Sequence, residues 1–377
     1  MKFGVVFLLA AVAACAQVEM RYVDLPVSDG LKLRASYYSP GKPGPGVLLL
    51  HQCNRDRSVW NDLAMQLAAS GLHVLTFDMR GYGESQGDRF REVSDEKRAA
   101  MAAHWPADID TAWQFLASQT GVDKANTGVG GASCGVNNAI QTARRHPEVK
   151  TLVLLSGDTD GDGVTFLAGA KTLPVFIAAS ENDGDTLARM RWIFAFSNDA
   201  RSKLLSFKAA GHGADMFRVE TTLPGTIVSW FDQMLLNPQP PGEPKKVSPE
   251  EEFWTQLTAP KGVPSLRKTL EKARKKNRSA PPPFPEYPVN LYGYDLLRKG
   301  DTRQAIAVLK LNELGYPKSA NVYDSLADAY LADHQEALAL QYSEKCLKVL
   351  TENPPADAER AAEIRGNTEA RMKKLKH

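Results

Sequence analysis

From residue 22 to residue 236 the chain alternates short apolar runs with longer stretches that are apolar on one side only. Residues 46–51 form a continuous apolar run, as a strand buried on both faces requires. Residues 72–77, 127–131, 151–155, 175–179 and 204–208 repeat that character. Between them the spacing of apolar positions predicts helices over 60–69, 109–118, 137–145 and 187–196. Residues 22–27 and 31–38 read as two strands around a turn at Ser28-Asp29-Gly30. Strands and helices in this alternation predict a mostly parallel sheet covered on both faces. A last amphipathic helix is expected over 224–236.

The pattern then changes. Residues 237–249 are rich in proline and charge, and Pro281-Pro282-Pro283 with Pro285 and Pro288 marks a second stiff stretch. Between them Arg267, Lys268, Lys272, Arg274, Lys275, Lys276 and Arg278 face a single acid, Glu271. A solvated linker helix is the plain reading; attraction to an anionic membrane surface is the alternative. The remainder is helical and weakly repetitive. Tyr292-Gly293-Tyr294-Asp295-Leu296 and Leu326-Ala327-Asp328-Ala329-Tyr330 superpose at a shift of 34, which also pairs Ala305 with Ala339 and Ile306 with Leu340. The segment resembles roughly two tetratricopeptide repeats followed by a charged capping helix. Two such units bury little by themselves, so docking on the catalytic domain or on a protein partner is expected.

Composition narrows the function classes. The 377 residues are 43% hydrophobic and 24% charged, which suits a folded soluble protein. A net charge of +2 gives no global electrostatic case for nucleic acid. The 4 cysteines are too few for a disulfide scaffold and none falls in a CxxC pair. At the N-terminus Met1 and Lys2 precede an uncharged apolar run over 3–14, too short to span a bilayer but suited to a secretory signal. Ala14-Cys15-Ala16 reads as a cleavage site, whereas Val12-Ala13-Ala14-Cys15 resembles a bacterial lipobox that would make Cys15 a lipid anchor. Either outcome predicts export, to the periplasm or beyond. The expected layout is a signal peptide over 1–16, an α/β domain over 17–236, a linker over 237–285 and a repeat-like helical domain over 286–377.

Candidate chemistry centres on Gly131-Ala132-Ser133-Cys134-Gly135, which follows a predicted strand and opens a predicted helix. A G-x-S-x-G turn in that setting presents the serine oxygen on a cramped strand-to-helix reversal beside a helix N-terminus. His212, in Ala210-Gly211-His212-Gly213, follows another predicted strand and could deprotonate Ser133. A carboxylate in Ser180-Glu181-Asn182-Asp183-Gly184-Asp185 could orient the ring. Serine, then acid, then histidine is the chain order of α/β-hydrolases.

On these residues the chain resembles an α/β-hydrolase of the dienelactone hydrolase-like or small esterase type, over about residues 20–236. Asp78-Met79-Arg80-Gly81-Tyr82-Gly83-Glu84-Ser85 resembles the family's D-x-R-G-x-G-x-S loop, and His51-Gln52-Cys53-Asn54 occupies its oxyanion loop. The resemblance implies Ser133 as nucleophile, His212 as base and Asp183 as acid, with the Cys53 and Cys134 N–H groups as the oxyanion hole. It implies a small-molecule acyl substrate and calls for no cofactor or metal. Val136-Asn137-Asn138 and Gln52 depart from the family pattern and bear on substrate preference. The short segment between residues 155 and 175 leaves no room for a separate cap domain, and 88–98 is the expected partial lid. If the oxyanion assignment holds, Cys53 and Cys134 face each other and could form a disulfide that pins the hole.

Competing readings stay open at this level. Ser133 could merely cap a helix, Cys134 could be the nucleophile, and Asp185, Asp158 or Asp160 could replace Asp183. Asp158-Thr159-Asp160-Gly161-Asp162-Gly163 matches the opening of a calcium loop, but Gly169 stands where its glutamate belongs. His51, His73, His104, His146, His334 and His377 read as structural or surface residues. The resulting expectation is an exported serine hydrolase acting on an ester, thioester or similarly activated acyl group. The alternative is an interaction protein whose repeats recruit a partner while the hydrolase fold serves as a platform.

Overall fold

The computed structural model describes residues 18–277, 281–355 and 358–376. The expected signal sequence and Cys15 lie outside the described residues. The chain divides into two compact units, the first holding 1–158, 172–190 and 199–243, the second 159–171, 191–198 and 244–377.

The first unit is built on an 8-stranded sheet in the order β1-β2-β4-β3-β5-β6-β7-β8. β1 (Glu19–Pro26) and β2 (Lys32–Ser39) form an antiparallel hairpin, and β2 joins β4 (His73–Phe77) antiparallel. β3 (Gly44–Leu50), β4, β5 (Val122–Ala132), β6 (Val149–Leu155), β7 (Val175–Ser180) and β8 (Lys203–Phe207) run parallel. The apolar runs of β3, β4 and β7 are buried at nearly every position, which is why they lack polar alternation. α1 (Asn61–Ser70), α3 (Trp105–Ser118), α4 (Cys134–Arg145) and α7 (Leu223–Phe231) supply the covering helices.

One face of the sheet packs Val47, Leu49, Val74, Val153, Leu155 and Phe176 against Leu63 and Leu67 of α1 and Ile227, Trp230 and Phe231 of α7. Full burial of each such side chain contributes roughly 1.5–3 kcal/mol. Close approach is needed here: a Cβ on Gly128 would lie 2.6 Å from the Phe231 ring. Gly71, at φ +114°, ends α1 in the left-handed conformation that a side chain resists.

The structure differs from the sequence expectation in instructive places. α4 begins at Cys134 rather than at 137, because its first turn is made of the elbow residues themselves, whose small Gly135 adds nothing to an apolar periodicity. The charged stretch expected as a partial lid contains α2 (Asp95–Ala102), which buries none of its residues. Its N-terminus is capped by Ser94, and with no apolar stripe it leaves no periodic signal.

In the second unit, α5 (Gly161–Gly169) starts at Asp160, whose carboxylate caps the Gly163 N–H at 2.8 Å. The stretch expected as a linker holds α8 (Pro249–Thr258) and α9 (Gly262–Lys276), the second of them where the sequence suggests a solvated linker helix. They bury Trp254 and Leu257, and Leu266 and Leu270, so helical spacing of a few apolar residues outweighs the charged surroundings. Trp254 Nε1 donates to Thr165 Oγ1 at 3.2 Å, and Arg274 donates to the Gly315 carbonyl at 3.0 Å.

Helices α10 (Glu286–Arg298), α11 (Thr302–Gly315), α12 (Ala320–Ala332) and α13 (Glu336–Glu352) follow with short loops, and α10 packs on α11 as α12 packs on α13. Ala305 and Ala339, one repeat period apart, are both fully buried. Tyr294 donates to Asp328 at 2.8 Å. α14 (Ala358–Leu375) places Arg371 against Asp324 at 2.8 Å and Asp328 at 2.6 Å. The C-terminal region is therefore all-helical.

Candidate active site

Parallel strands deliver their following loops to one edge of the sheet, so the turns after β3, β5, β7 and β8 can converge there. Ser133 sits between β5 and α4 at φ 53° and ψ −121°, a conformation that non-glycine residues seldom adopt. Small neighbours make it attainable. A Cβ on Gly131 would collide with the Gly135 carbonyl, one on Gly135 with the Leu50 carbonyl, and one on Gly157 with the Ser133 carbonyl. The Ser133 N–H donates to the Leu155 carbonyl at 2.9 Å, tying the turn to β6. Its hydroxyl is thus held at the N-terminus of a 12-residue helix, where partial positive charge favours an anion.

The loops after β7 and β8 bring Asp183 and His212 together. His212 Nδ1 donates to the Asp183 carboxylate, at 2.8 Å to Oδ2 and 2.9 Å to Oδ1. That bond fixes the tautomer and leaves Nε2 as the basic nitrogen. Gly211 at φ +85° and Gly213 at φ +60° turn the backbone sharply on both sides of the histidine. Ser180 and Asn182 hold the two loops in register: Ser180 Oγ accepts the Ala210 N–H at 2.8 Å, and Asn182 Oδ1 accepts the Gly211 N–H at 3.1 Å. No hydrogen bond joins Ser133 Oγ to the His212 ring.

Among the acids weighed from the sequence, Asp183 is the one that meets His212. Asp185 is exposed, Asp158 pairs with Arg189 at 3.1 Å, and Asp160 caps α5. Cys134 is bonded through sulfur to Cys53, with Cα atoms 5.8 Å apart, so it presents no thiol. The stretch that resembles a calcium-loop opening supplies a helix cap. Among the described residues no three histidine, cysteine or acidic side chains come together as a metal site would need.

The loop after β3 is braced from two directions. Behind it, His51 is fully buried, with Nδ1 donating to the Gln52 carbonyl at 2.8 Å and Nε2 accepting the Met79 N–H at 3.0 Å. Burial pushes its pKa below the usual imidazole value, and the neutral ring is a structural part. In front, Gln52 Oε1 accepts the Ala214 N–H at 2.8 Å, while Nε2 donates to Asn54 at 2.8 Å and Asp215 at 3.1 Å. Arg55 adds an ion pair to Asp215 at 2.9 Å. The sequence marked Gln52 only as a departure from a pattern. Its role depends on two loops that are 162 residues apart, which no local signal reveals.

The Asp78–Ser85 loop is scaffolding. Fully buried Asp78 accepts the Arg57 N–H at 2.7 Å and the Glu84 N–H at 2.8 Å, and it pairs with the Arg57 guanidinium. Arg80 makes a two-pronged pair with Asp108 at 2.6 and 2.8 Å. The hydrogen bonds that Arg80 donates to the Asp108 carboxylate hold the guanidinium pKa above its ordinary value. His73 lies between the Tyr37 hydroxyl at 2.7 Å and the Lys42 carbonyl at 3.0 Å, and His146 stacks on Trp113 with ring centres 4.1 Å apart.

The family model described as "Serine aminopeptidase, S33" matches residues 41–184, taking in Ser133 and Asp183 and stopping short of His212. The chain is 32% identical over 132 residues to the thiohydrolase aneE of Aspergillus aculeatus, across 35% of this chain and 39% of that protein. An uncharacterized Mycobacterium tuberculosis protein is 35% identical over 138 residues, 36% of this chain and 45% of its own length. The chain thus spans less than half the length of the curated relatives it matches. Among solved structures, a cold-adapted esterase from an Arctic intertidal metagenomic library aligns at 22% identity and TM-score 0.47, over 58% of this chain and 94% of that one. A Pyrococcus furiosus esterase aligns at 17% identity and TM-score 0.46, over 60% and 96%. The mostly parallel sheet with a serine at its strand-to-helix elbow is an α/β-hydrolase fold, and the stretch that matches the family model crosses that elbow.

Proposed function

We propose that the protein is a serine hydrolase that cleaves an ester or thioester through an acyl-enzyme on Ser133. The observation that carries this reading is the bond from His212 Nδ1 to Asp183 in the loops that follow β7 and β8. His212 Nε2 takes the Ser133 proton as Oγ attacks the acyl carbonyl, and Asp183 stabilises the imidazolium that forms. The tetrahedral oxygen sits on the Cys53 and Cys134 N–H groups; each such donor is worth about 3 kcal/mol in the transition state. His212 then returns the proton to the leaving group and activates the water that frees the acyl group.

Thioesters enter the substrate class because the thiohydrolase of Aspergillus aculeatus is similar over 132 residues. A protein disulfide suits an oxidising compartment, which supports the exported reading of the N-terminus. The test is stopped-flow hydrolysis of a p-nitrophenyl ester and of an acyl thioester. A burst equal to the enzyme concentration supports the acyl-enzyme. Absence of turnover on a panel of both classes by the folded protein contradicts it.

A further inference from the structure

The Cys53–Cys134 disulfide joins the loop after β3 to the first residue of α4. These are the same two residues whose N–H groups the serine-hydrolase reading uses as the oxyanion hole. Among the described residues neither of these N–H groups donates to a backbone carbonyl, so both remain free to meet a substrate oxygen. The peptide that carries the Cys53 N–H is held on the loop side by the Gln52 carbonyl, which accepts from His51 Nδ1 at 2.8 Å and from the Arg55 N–H at 3.1 Å. Gln52 and Arg55 reach Ala214 and Asp215 through their side chains. Asn54 and Arg55, directly after Cys53, are exposed. The covalent bridge ties the two donors directly to each other across the site, one on a loop that turns exposed after Cys53 and one on a rigid helix end.

We propose that this disulfide is the positioning cross-link of the oxyanion hole, so that its reduction slows acyl transfer while substrate binding persists. The inference rests on the serine-hydrolase reading. Both cysteines are half-buried, so a small dithiol reaches the bridge. One reductant thiolate attacks a protein sulfur, the protein S–S bond breaks, and a mixed disulfide forms with release of one protein thiolate, which takes up a proton. The second reductant thiol loses its proton and closes on the first, releasing the other protein thiol. The protein gains two electrons and two protons, and the dithiol leaves as a cyclic disulfide. The remaining cysteine among the described residues, Cys346, is buried in the second unit and lies outside this exchange.

The experiment measures kcat and KM of the full chain on a p-nitrophenyl ester, oxidised and after dithiothreitol, with circular dichroism and melting curves on both forms. Binding of an alkyl trifluoromethyl ketone, whose serine adduct carries an oxyanion, is measured in parallel. Reduction is expected to lower kcat about tenfold or more, leave KM within about twofold, and weaken the ketone as much as it lowers kcat. Reoxidation restores both values. The Cys53→Ala/Cys134→Ala variant should match the reduced enzyme and ignore dithiothreitol. Equal kcat in the two redox forms overturns the inference alone, and so does reduction that simply unfolds the protein. No turnover in either form overturns the hydrolase reading and this inference with it.

Discussion

Gln52 Oε1 accepts the Ala214 N–H at 2.8 Å, so the loop that carries Cys53 and the loop that carries His212 are joined by one buried side chain. The amide nitrogen of Gln52 meets Asp215 in the same loop at 3.1 Å, and Arg55 reaches that carboxylate at 2.9 Å. The position of His212 relative to Cys53 is thereby set through Gln52 as well as through the sheet.

Replacing Gln52 with Leu leaves the Ala214 N–H buried without an acceptor. The expected loss is about 1–3 kcal/mol of stability, read as a lower urea midpoint for the sheet-bearing unit. Turnover on an ester should fall as well, because the histidine loop loses its tie. An unchanged midpoint would show that the bond has no net value.

The elbow glycines tolerate no side chain. Gly135→Ala drives a Cβ into the Leu50 carbonyl, which is backbone and has little freedom to move. The expected outcome is at least about 2 kcal/mol of destabilisation or loss of soluble protein. Gly169→Ala serves as control, since nothing lies within 4 Å of the added carbon. Comparing the melting temperatures of the two variants checks this.

Asp78 and Arg57 form an ion pair in which the carboxylate is fully buried. Asp78→Ala leaves the Arg57 guanidinium with Glu84 and Ser36 as side-chain hydrogen-bond partners and unties the Arg57 and Glu84 N–H groups, so roughly 3 kcal/mol should be lost. Melting curves of this variant should show the sheet-bearing unit unfolding early. Replacement of exposed Asp185 should change the melting temperature little.

Acid should weaken the fold as the pH drops below about 6.5. Burial lowers the pKa of both His51 and His73 below the ordinary imidazole value. The unfolded chain then binds protons that the folded one refuses. Their contribution to stability is complete above about pH 6.5, the unfolded value, and declines as pH falls towards the depressed folded values. Urea unfolding at pH 7.5, 6.5 and 5.5 should give falling midpoints. A midpoint that rises as pH drops from 7.5 to 5.5 would contradict this account.

The sequence was most legible where chemistry and local geometry coincide. Gly131, Ser133 and Gly135 announce a cramped turn by themselves, and the apolar runs of β3, β6 and β7 report burial on both faces. Asp183 and Asp185 both follow β7, and only the direction of the turn separates them, which needs coordinates. Gln52 was opaque for a different reason, since its partners Ala214 and Asp215 lie far along the chain. Helix α8 was hidden because Trp254 and Leu257 supply few apolar positions among many charges, whereas α9 falls where the sequence suggests a solvated linker helix, and only its burial of Leu266 and Leu270 was hidden. The pairing of Cys53 with Cys134 could be suspected only through the roles that the family resemblance implied for them.

The most direct measurement treats the purified oxidised protein with a fluorophosphonate and maps the labelled peptide by mass spectrometry. The account predicts a single adduct on Ser133, absent in Ser133→Ala and formed at least about a hundredfold more slowly in His212→Ala. A folded, oxidised protein that takes no label, or takes it on a different residue, would contradict the claim that Ser133 is a nucleophile activated by His212.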